Sequence, residues 1–213
     1  MDNMQVIIPQ LLGGLKITLS VFLLTLLISI PLGMMVAIGR IKGNKLTKTI
    51  IDFYILVMRG TPLLLQIIFI FFGLPLVGIR FGRFSAAIVA FVLNYGAYFA
   101  EIFRGGIESV DEGQFEACEM LGLSEWDVYI KVVLPQAIKN VIPPIGNEVI
   151  SLVKDTALVY ILGLQDILMV GKIATNRDAS LVPLLLVGLM YLLIIVVLTF
   201  MFKKIEKKYS YYK

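Results

Sequence analysis

Polar and ionisable side chains stand inside segments of this chain that are otherwise apolar. Glu148, Ser151 and Asp155 recur at helical spacing, and at about 100° per residue they share one helix face, with Lys154 beside it. An ionisable group at bilayer depth costs about 3 kcal/mol or more, so it normally faces the interior of a helix bundle or a water-filled path. These residues therefore predict a polar binding or translocation site within a membrane.

A preceding apolar segment carries a second polar face, formed by Asn94, Tyr98 and Glu101. We expect the two faces to meet and to line one path between their helices. Two less specific alternatives stay open at this point. Lys154 and Asp155 could pair with one another near an interface, and Glu101 could lie close enough to the cytoplasm to be hydrated.

The composition supports a membrane location and excludes several kinds of chemistry. Of 213 residues, 59% are hydrophobic and 16% are charged, whereas soluble domains usually carry about 25% charged residues. Histidine is absent and cysteine occurs once, so we expect no metal site, no catalytic residue and no internal disulfide. The net charge of +4 fits the basic loops of membrane proteins, and no nucleic-acid partner is expected.

Hydropathy and basic clusters predict one all-α integral membrane domain over residues 1–213 with five transmembrane helices. Basic residues follow the first and last spans, at Arg40 to Lys48 and at Lys203 to Lys208. Such clusters mark the cytoplasmic side, so the N-terminus is predicted outside and the C-terminus in the cytoplasm. The expected spans cover about 14–40, 50–77, 84–105, 144–162 and 181–202.

Two regions between these spans carry further expectations. Pro143 and Pro144 predict a break, with an amphipathic helix to about Val141 and a spanning helix from Pro144 to about Leu162. The residues from Asp166 to Asp178 are expected to form an external segment.

The charged interval over about 111–135 is predicted to hold two short capped helices in the cytoplasm. Asp111 with Gln114, and Ser124 with Asp127, have the spacing of capping boxes. Gly122 lies between them, where a left-handed residue after the first helix costs glycine little. A pair of helices with this character needs a partner to dock against.

The spacing within this interval resembles the EAA loop of membrane subunits of ABC importers. The residues that carry the resemblance are Glu116, Ala117, Cys118, Gly122, Val132, Leu134 and Pro135. Only Cys118 departs from the family pattern, where alanine is usual. Further stretches over 59–66, 97–117 and 147–159 resemble membrane subunits of polar amino-acid importers. The resemblance extends from about Gly14 to the C-terminus.

The resemblance implies a type I importer core with a short cytoplasmic coupling helix between spans three and four. It implies docking of Glu116, Ala117, Cys118, Gly122, Leu134 and Pro135 on a separate cytoplasmic ATP-binding subunit. That subunit would bind ATP and Mg, because this sequence contains no Gly-x-x-x-x-Gly-Lys-Ser/Thr phosphate loop. No cofactor is expected in this chain, and it is not expected to be an enzyme. Other implied partners are a second permease subunit, an extracytoplasmic solute-binding protein and membrane lipid. A homodimer is preferred over a paired homologue, in the bacterial cytoplasmic membrane.

The expected substrate is a polar, preferably basic, L-amino acid. Glu148 and Asp155 would suit a cationic side chain, and Asn94 or Lys154 could meet the carboxylate; glutamine or glutamate stays open. The alternatives are an ion-coupled transporter or channel, an intramembrane enzyme and a membrane scaffold. The EAA-like loop disfavours the first, the absence of histidine and of paired intramembrane aspartates disfavours the second, and the buried charges disfavour the third.

Overall fold

The computed structural model describes residues 2–209, and every regular element within that range is helical. The helices are α1 (Asp2–Lys42), α2 (Lys45–Gly60), α3 (Leu63–Ile68), α4 (Arg83–Glu108), α5 (Glu112–Met120), α6 (Glu125–Asp127), α7 (Leu134–Asp155), α8 (Ile167–Asp178) and α9 (Val182–Tyr209). α3 continues through a π-helical turn (Phe69–Gly73) into a 3-10 helix (Leu74–Val77). A π-helical segment (Val128–Val133) joins α6 to α7, and a 3-10 helix (Thr156–Leu162) extends α7.

The core of the bundle is built around α4. Its aromatic residues Phe91, Tyr95 and Phe99 are almost completely buried, and its most extensive packing is along α1. The two helices approach closely at Gly33, where an added Cβ would lie 2.6 Å from Phe99 Cβ and 3.0 Å from Ala100 N. Lipid tails are as apolar as the helix surfaces, so the hydrophobic effect does not drive helices together in a membrane. Small residues at a crossing allow the close van der Waals packing that does.

Three helical segments are long and apolar enough to cross a membrane, Gln5–Lys42, Arg83–Glu108 and Val182–Tyr209. Two further pairs pass the same test as bent units, so residues 2–209 hold three to five candidate spans. On α9 only Pro183 and Val187 are buried, and leucine, valine and phenylalanine side chains cover its exposed surface. That surface suits contact with lipid, because hydrocarbon solvates apolar side chains without penalty.

The predicted span over residues 50–77 is not a straight helix. Lys45–Gly60 and Leu63–Val77 meet at an angle of 105°. Proline disfavours the helical conformation of the residue before it, and Thr61, which precedes Pro62, is extended (φ −121°, ψ 148°). The sequence marks the interruption, but the sharp turn needs the tertiary contacts described below.

The predicted break at Pro143–Pro144 is wrong, because α7 runs without interruption from Leu134 to Asp155. Isolated helices do not tolerate such a pair, but membrane helices do when neighbouring helices and side chains support the backbone. α7 packs against both α4 and α9, and Gly146 lies against the ring of Phe202. Tertiary packing therefore overrides the local preference of the two prolines.

The predicted external segment over Asp166 to Asp178 forms a capped helix, α8. Asp166 is fully buried, and its carboxylate accepts hydrogen bonds from Leu168 N (3.1 Å) and Met169 N (3.0 Å). α8 packs against α1 and α9. The Asp166 cap satisfies backbone donors that would otherwise be unpaired at the start of the helix.

The crossing of α1 and α4 gives a prediction for stability. Gly33→Ala should lower the free energy of unfolding by about 1–3 kcal/mol, because the new methyl group overlaps the backbone and Cβ of α4. Gly13→Ala is the matched control on the same helix, where no atom lies within 4 Å of an added Cβ. Thermal unfolding in detergent measures both variants, and equal melting temperatures for the two would contradict the close crossing.

Candidate functional site

A cavity of about 660 Å³ lies where the bend between α2 and α3 meets α4 and α7. Six of the seven residues predicted for the translocation path line it: Asn94, Tyr98, Glu148, Ser151, Lys154 and Asp155. The two polar helix faces inferred from sequence are therefore brought together. The seventh residue, Glu101, is not among the lining residues, whereas Arg59 and Tyr95, which were not predicted as path residues, are among them.

Two side-chain amides hold the bend that forms one wall of the cavity. Gln66 Nε2 donates to Met58 O (3.0 Å), Thr61 O (3.2 Å) and Thr61 Oγ1 (2.8 Å). Asn94 Nδ2 donates to the same Met58 carbonyl (2.8 Å) and to Gln66 Oε1 (3.1 Å). These bonds satisfy carbonyl groups that the broken helix leaves without a partner, as a membrane environment requires.

Asn94 is consequently a supporting residue and not a donor to a substrate carboxylate. It is 4% exposed. Its amide group has two N–H donors, and these donate to Met58 O and Gln66 Oε1. Only its Oδ1 acceptor remains available to the cavity. Asn94 and Lys154 were the two residues expected to bind a substrate carboxylate. Lys154 remains a candidate for that role, because its side chain is exposed.

The acidic side of the cavity is formed by α7 with one aromatic residue of α4. The Tyr95 hydroxyl donates a hydrogen bond of 2.7 Å to Asp155 Oδ2, which orients that carboxylate. Glu148 is half-buried about two turns earlier on the same helix. Sequence reasoning missed Tyr95 because it lies about 100° from Asn94 around the helix. The broad mouth of the cavity spans both faces.

The basic side of the cavity includes Arg59, at the end of α2. Its guanidinium lies 5.1 Å from the centre of the Tyr98 ring, which is within cation–π range. Its Nη1 atom lies 3.3 Å from Glu101 Oε2. The charge of Arg59 was visible in the sequence, but only the 105° bend turns the end of α2 toward the cavity.

Glu101 belongs to an ion cluster beside the cavity. Arg104 contacts it through Nη2 to Oε2 (3.0 Å), and the Arg40 guanidinium contacts Oε1. Arg40 also pairs with Asp52 through Nε (2.6 Å). The cluster joins α1, α2 and α4, and three guanidinium groups compensate the half-buried Glu101 carboxylate.

The 111–135 segment forms the expected turn between helices, with a different second half. Gly122 has φ +66°, and Leu123 N donates to Cys118 O (3.1 Å) while Gly122 N donates to Glu119 O (2.9 Å). These bonds define a Schellman motif and confirm the predicted role of Gly122. The second helix is not short, because α6 continues through the π-helical segment into α7.

In each predicted capping box of this segment, only the side chain of the first residue accepts a hydrogen bond from a backbone N–H. Asp111 Oδ1 accepts from Gly113 N (2.8 Å), whereas the Gln114 side chain pairs with Gln136 (3.3 Å). Ser124 Oγ accepts from Asp127 N (3.2 Å). Hydrogen bonds from Lys131 and Ser124 lower the pKa of the exposed Asp127 carboxyl below its ordinary value.

The outer surface of this segment is exposed and partly apolar. Glu116 and Ala117 are exposed, whereas Cys118 is buried; Phe115 packs edge-on against Tyr129. Leu134 is exposed and Pro135 is half-buried at the start of α7. Side chains around the turn project large apolar groups outward: Met120 (88% exposed), Leu121 (77%) and Trp126 (77%). Among the side chains that the structure describes, no group of three or more His, Cys, Asp or Glu residues is arranged to hold a metal ion.

Comparison with known proteins gives one family and several close relatives. Residues 29–211 match the family described as binding-protein-dependent transport system inner membrane component. The arginine transport system permease protein ArtQ of Bacillus subtilis (strain 168) is 40% identical over 203 residues, which are 94% of this chain and 93% of the relative. The glutamine transport system permease protein GlnP of Escherichia coli (strain K12) is 35% identical over 204 residues, with the same coverage of both chains.

Solved structures show the same architecture. A crystal structure of an amino acid ABC transporter with histidines matches with a TM-score of 0.90 at 32% identity, over 97% of both chains. An inward-facing form of the MetNI methionine ABC transporter matches with a TM-score of 0.75 over 98% of both chains. Its identity is 19%, so that likeness concerns the fold alone.

The hydrogen-bonded side chains of Gln66 and Asn94 give a prediction about whether Asn94 stabilises the bend between α2 and α3. Asn94→Leu should lower the free energy of unfolding by about 1–3 kcal/mol, because it leaves Gln66 Oε1 without its donor in a buried site. Ser151→Ala, which alters the cavity wall without touching the amide pair, should unfold close to the unaltered protein. Thermal unfolding in detergent distinguishes the two variants. An Asn94→Leu variant as stable as Ser151→Ala would show that the bend does not depend on Asn94.

Proposed function

The chain belongs to the binding-protein-dependent transport system inner membrane component family, and from that premise we propose that it forms the substrate path of an ATP-driven importer for basic L-amino acids. It is an amino-acid ABC transporter permease with the type I fold. The preference for basic substrates, the path and the coupling to an ATPase are the proposed parts.

The observation that carries the proposal is the presence of both charge types around one cavity. Free amino acids carry an ammonium and a carboxylate, and the cavity is lined by Glu148 and Asp155 together with Arg59 and Lys154. Its volume of about 660 Å³ falls within the range of about 300–1,000 Å³ that is usual for small-molecule sites. Charged groups inside a membrane helix bundle normally mark a substrate or ion path.

A basic substrate fits this cavity better than a neutral one. Glu148 and the Tyr95-oriented Asp155 offer two carboxylates on α7, which would pair with a guanidinium or ammonium side chain and the α-ammonium group. The α-carboxylate would then lie toward Lys154 and Arg59. The 40% identity to an arginine permease supports this assignment, while the 35% identity to a glutamine permease keeps amide substrates as the second candidate.

Coupling to an ATP-binding subunit is assigned to the 111–135 segment. Exposed Glu116 and Ala117 lie beside the apolar side chains of Met120, Leu121 and Trp126 at the Schellman turn. A compact apolar projection with an acidic rim suits a groove edged by Lys or Arg on a separate subunit. ATP and Mg would be bound by that subunit.

Five spans result when each bent pair counts as one crossing. The basic residues after α1 and at the end of α9 then lie in the cytoplasm, with the N-terminus outside. This topology presents the 111–135 segment to a cytoplasmic ATPase and the opposite end to a solute-binding protein. A second copy of the permease would complete the complex in the bacterial cytoplasmic membrane. Family membership does not favour an ion-coupled transporter or a channel.

Glu148 gives the test of substrate preference. Glu148→Gln should raise the arginine concentration for half-maximal stimulation of ATP hydrolysis about tenfold, because a charge-assisted pair is lost, and should change the response to glutamine little. The measurement uses the permease reconstituted with its ATP-binding subunit and solute-binding protein, and Glu206→Gln at the end of α9 is the control. Equal changes for arginine and glutamine would contradict the proposed preference for basic substrates without contradicting amino-acid transport.

Docking through the 111–135 segment is tested by charge reversal on an exposed side chain. Glu116→Lys should reduce the ATP-binding subunit retained on an affinity-tagged permease about tenfold, since it places a cation against a basic groove. Lys208→Glu reverses an exposed charge at the end of α9 and should leave the retained amount unchanged. Undiminished retention by a correctly folded Glu116→Lys variant would contradict this docking site.

A further inference from the structure

We propose that Arg59 closes the neck of the substrate cavity and must leave Glu101 before a substrate can pass toward the end of the bundle that carries Arg40 and Asp52. The proposal rests on the proposed function for the identity of the substrate and for the direction of travel. It assigns a positioning role to Glu101, the predicted path residue that is not among those lining the cavity.

The neck is defined by residues that two cavities share. A second, more open cavity of about 490 Å³ is lined by Arg40, Asp52, Ile55 and Leu56. Arg59, Gly60 and Tyr98 line both this cavity and the larger one. Both spaces therefore lie against these three residues, and the proposed route between them passes the Arg59 side chain.

Two contacts hold Arg59 across this neck. Its Nη1 atom lies 3.3 Å from Glu101 Oε2, and its guanidinium lies 5.1 Å from the centre of the Tyr98 ring. Both partners belong to α4, whereas Arg59 belongs to the last turn of α2. The side chain thus bridges the two helices that border the neck.

The ion cluster allows Arg59 to leave without exposing an unpaired carboxylate. Glu101 keeps Arg104, at 3.0 Å from Oε2, and Arg40 when Arg59 moves away. Arg59 is also the most exposed of the three guanidinium groups, at 41% against 26% and 28%. Pairs with that exposure are weak, so a second anion can take the place of Glu101.

The α-carboxylate of an amino acid is an anion of the right chemistry for this exchange. Guanidinium groups bind carboxylates through paired N–H donors, and Arg59 already faces the cavity that holds Glu148 and Asp155. Arg59 also directly precedes the bend at Gly60 and Thr61, where an added Cβ at Gly60 would meet no atom within 4 Å. The backbone at this bend therefore has open space beside it.

The test measures how fast a reagent reaches the cavity through the neck. Ser151→Cys, in a Cys118→Ala background, supplies a thiol in the large cavity. The assembled complex is placed in sealed vesicles, and a membrane-impermeant thiol reagent is added on the side of the 111–135 segment. Glu101→Gln should raise the labelling rate about fivefold, because it removes the partner that holds Arg59 in place. Arg59→Gln should raise it at least as much, and the double variant should not exceed Arg59→Gln alone.

Glu108→Gln is the matched control, because Glu108 pairs with Arg104 and does not contact Arg59. It should leave the labelling rate within about twofold. Should Glu101→Gln prove poorly folded by size-exclusion chromatography, Tyr98→Leu tests the same neck through the ring contact and should also raise the rate. An unchanged rate in folded Glu101→Gln or Tyr98→Leu, or an equal rise in Glu108→Gln, would overturn the proposal.

Stimulation of ATP hydrolysis by arginine and glutamine in the otherwise unaltered complex separates this proposal from the proposed function. If neither amino acid stimulates hydrolysis while Glu101→Gln raises the labelling rate, the proposed substrate class is wrong and the proposed role of Arg59 at the neck is supported. If an amino acid stimulates hydrolysis while the labelling rate is unchanged, only the role of Arg59 is lost.

Discussion

The bend between α2 and α3 is the constraint on which the rest of the site depends. A helix that turns by 105° leaves backbone carbonyls without helical partners, and in hydrocarbon each such group costs several kcal/mol. Gln66 and Asn94 supply the missing donors to Met58 and Thr61. Because the amides hold the bend, α2 stops short and α3 departs sideways, which opens the space that α4 and α7 enclose.

Three charged groups in or beside the cavity have partners before a substrate arrives. Asp155 accepts the Tyr95 hydroxyl, Glu101 is surrounded by guanidinium groups, and Arg59 lies between Glu101 and the Tyr98 ring. Buried charges that lack such partners would instead lose their charge or destabilise the fold. Among the three arginines around Glu101, Arg59 has the most exposed side chain, and it lines the cavity. In the proposed path, a zwitterionic solute would exchange with the Arg59 contacts while the other contacts maintain the helix arrangement.

Periodicity and local signals were sufficient to predict much of the site from the sequence. The faces carrying Asn94 and Glu148 follow from helical spacing, and the Schellman turn at Gly122 follows from glycine between two caps. The long-range features could not be read in this way. The inward position of Arg59 depends on contacts between residues about thirty positions apart, and the three arginines around Glu101 come from three helices. Likewise, the continuity of α7 through Pro143 and Pro144 depends on its packing partners.

The π-helical segment Val128–Val133 is a local departure from α-helical winding on the helix that leads to the cavity. A π-helical turn holds about one residue more than an α-helical turn, so conversion of one form into the other would rotate everything beyond it by about 100°. The helical run from Val128 to Leu162 includes Glu148 and Asp155. Rewinding near the Schellman turn would therefore turn both carboxylates about the axis of α7.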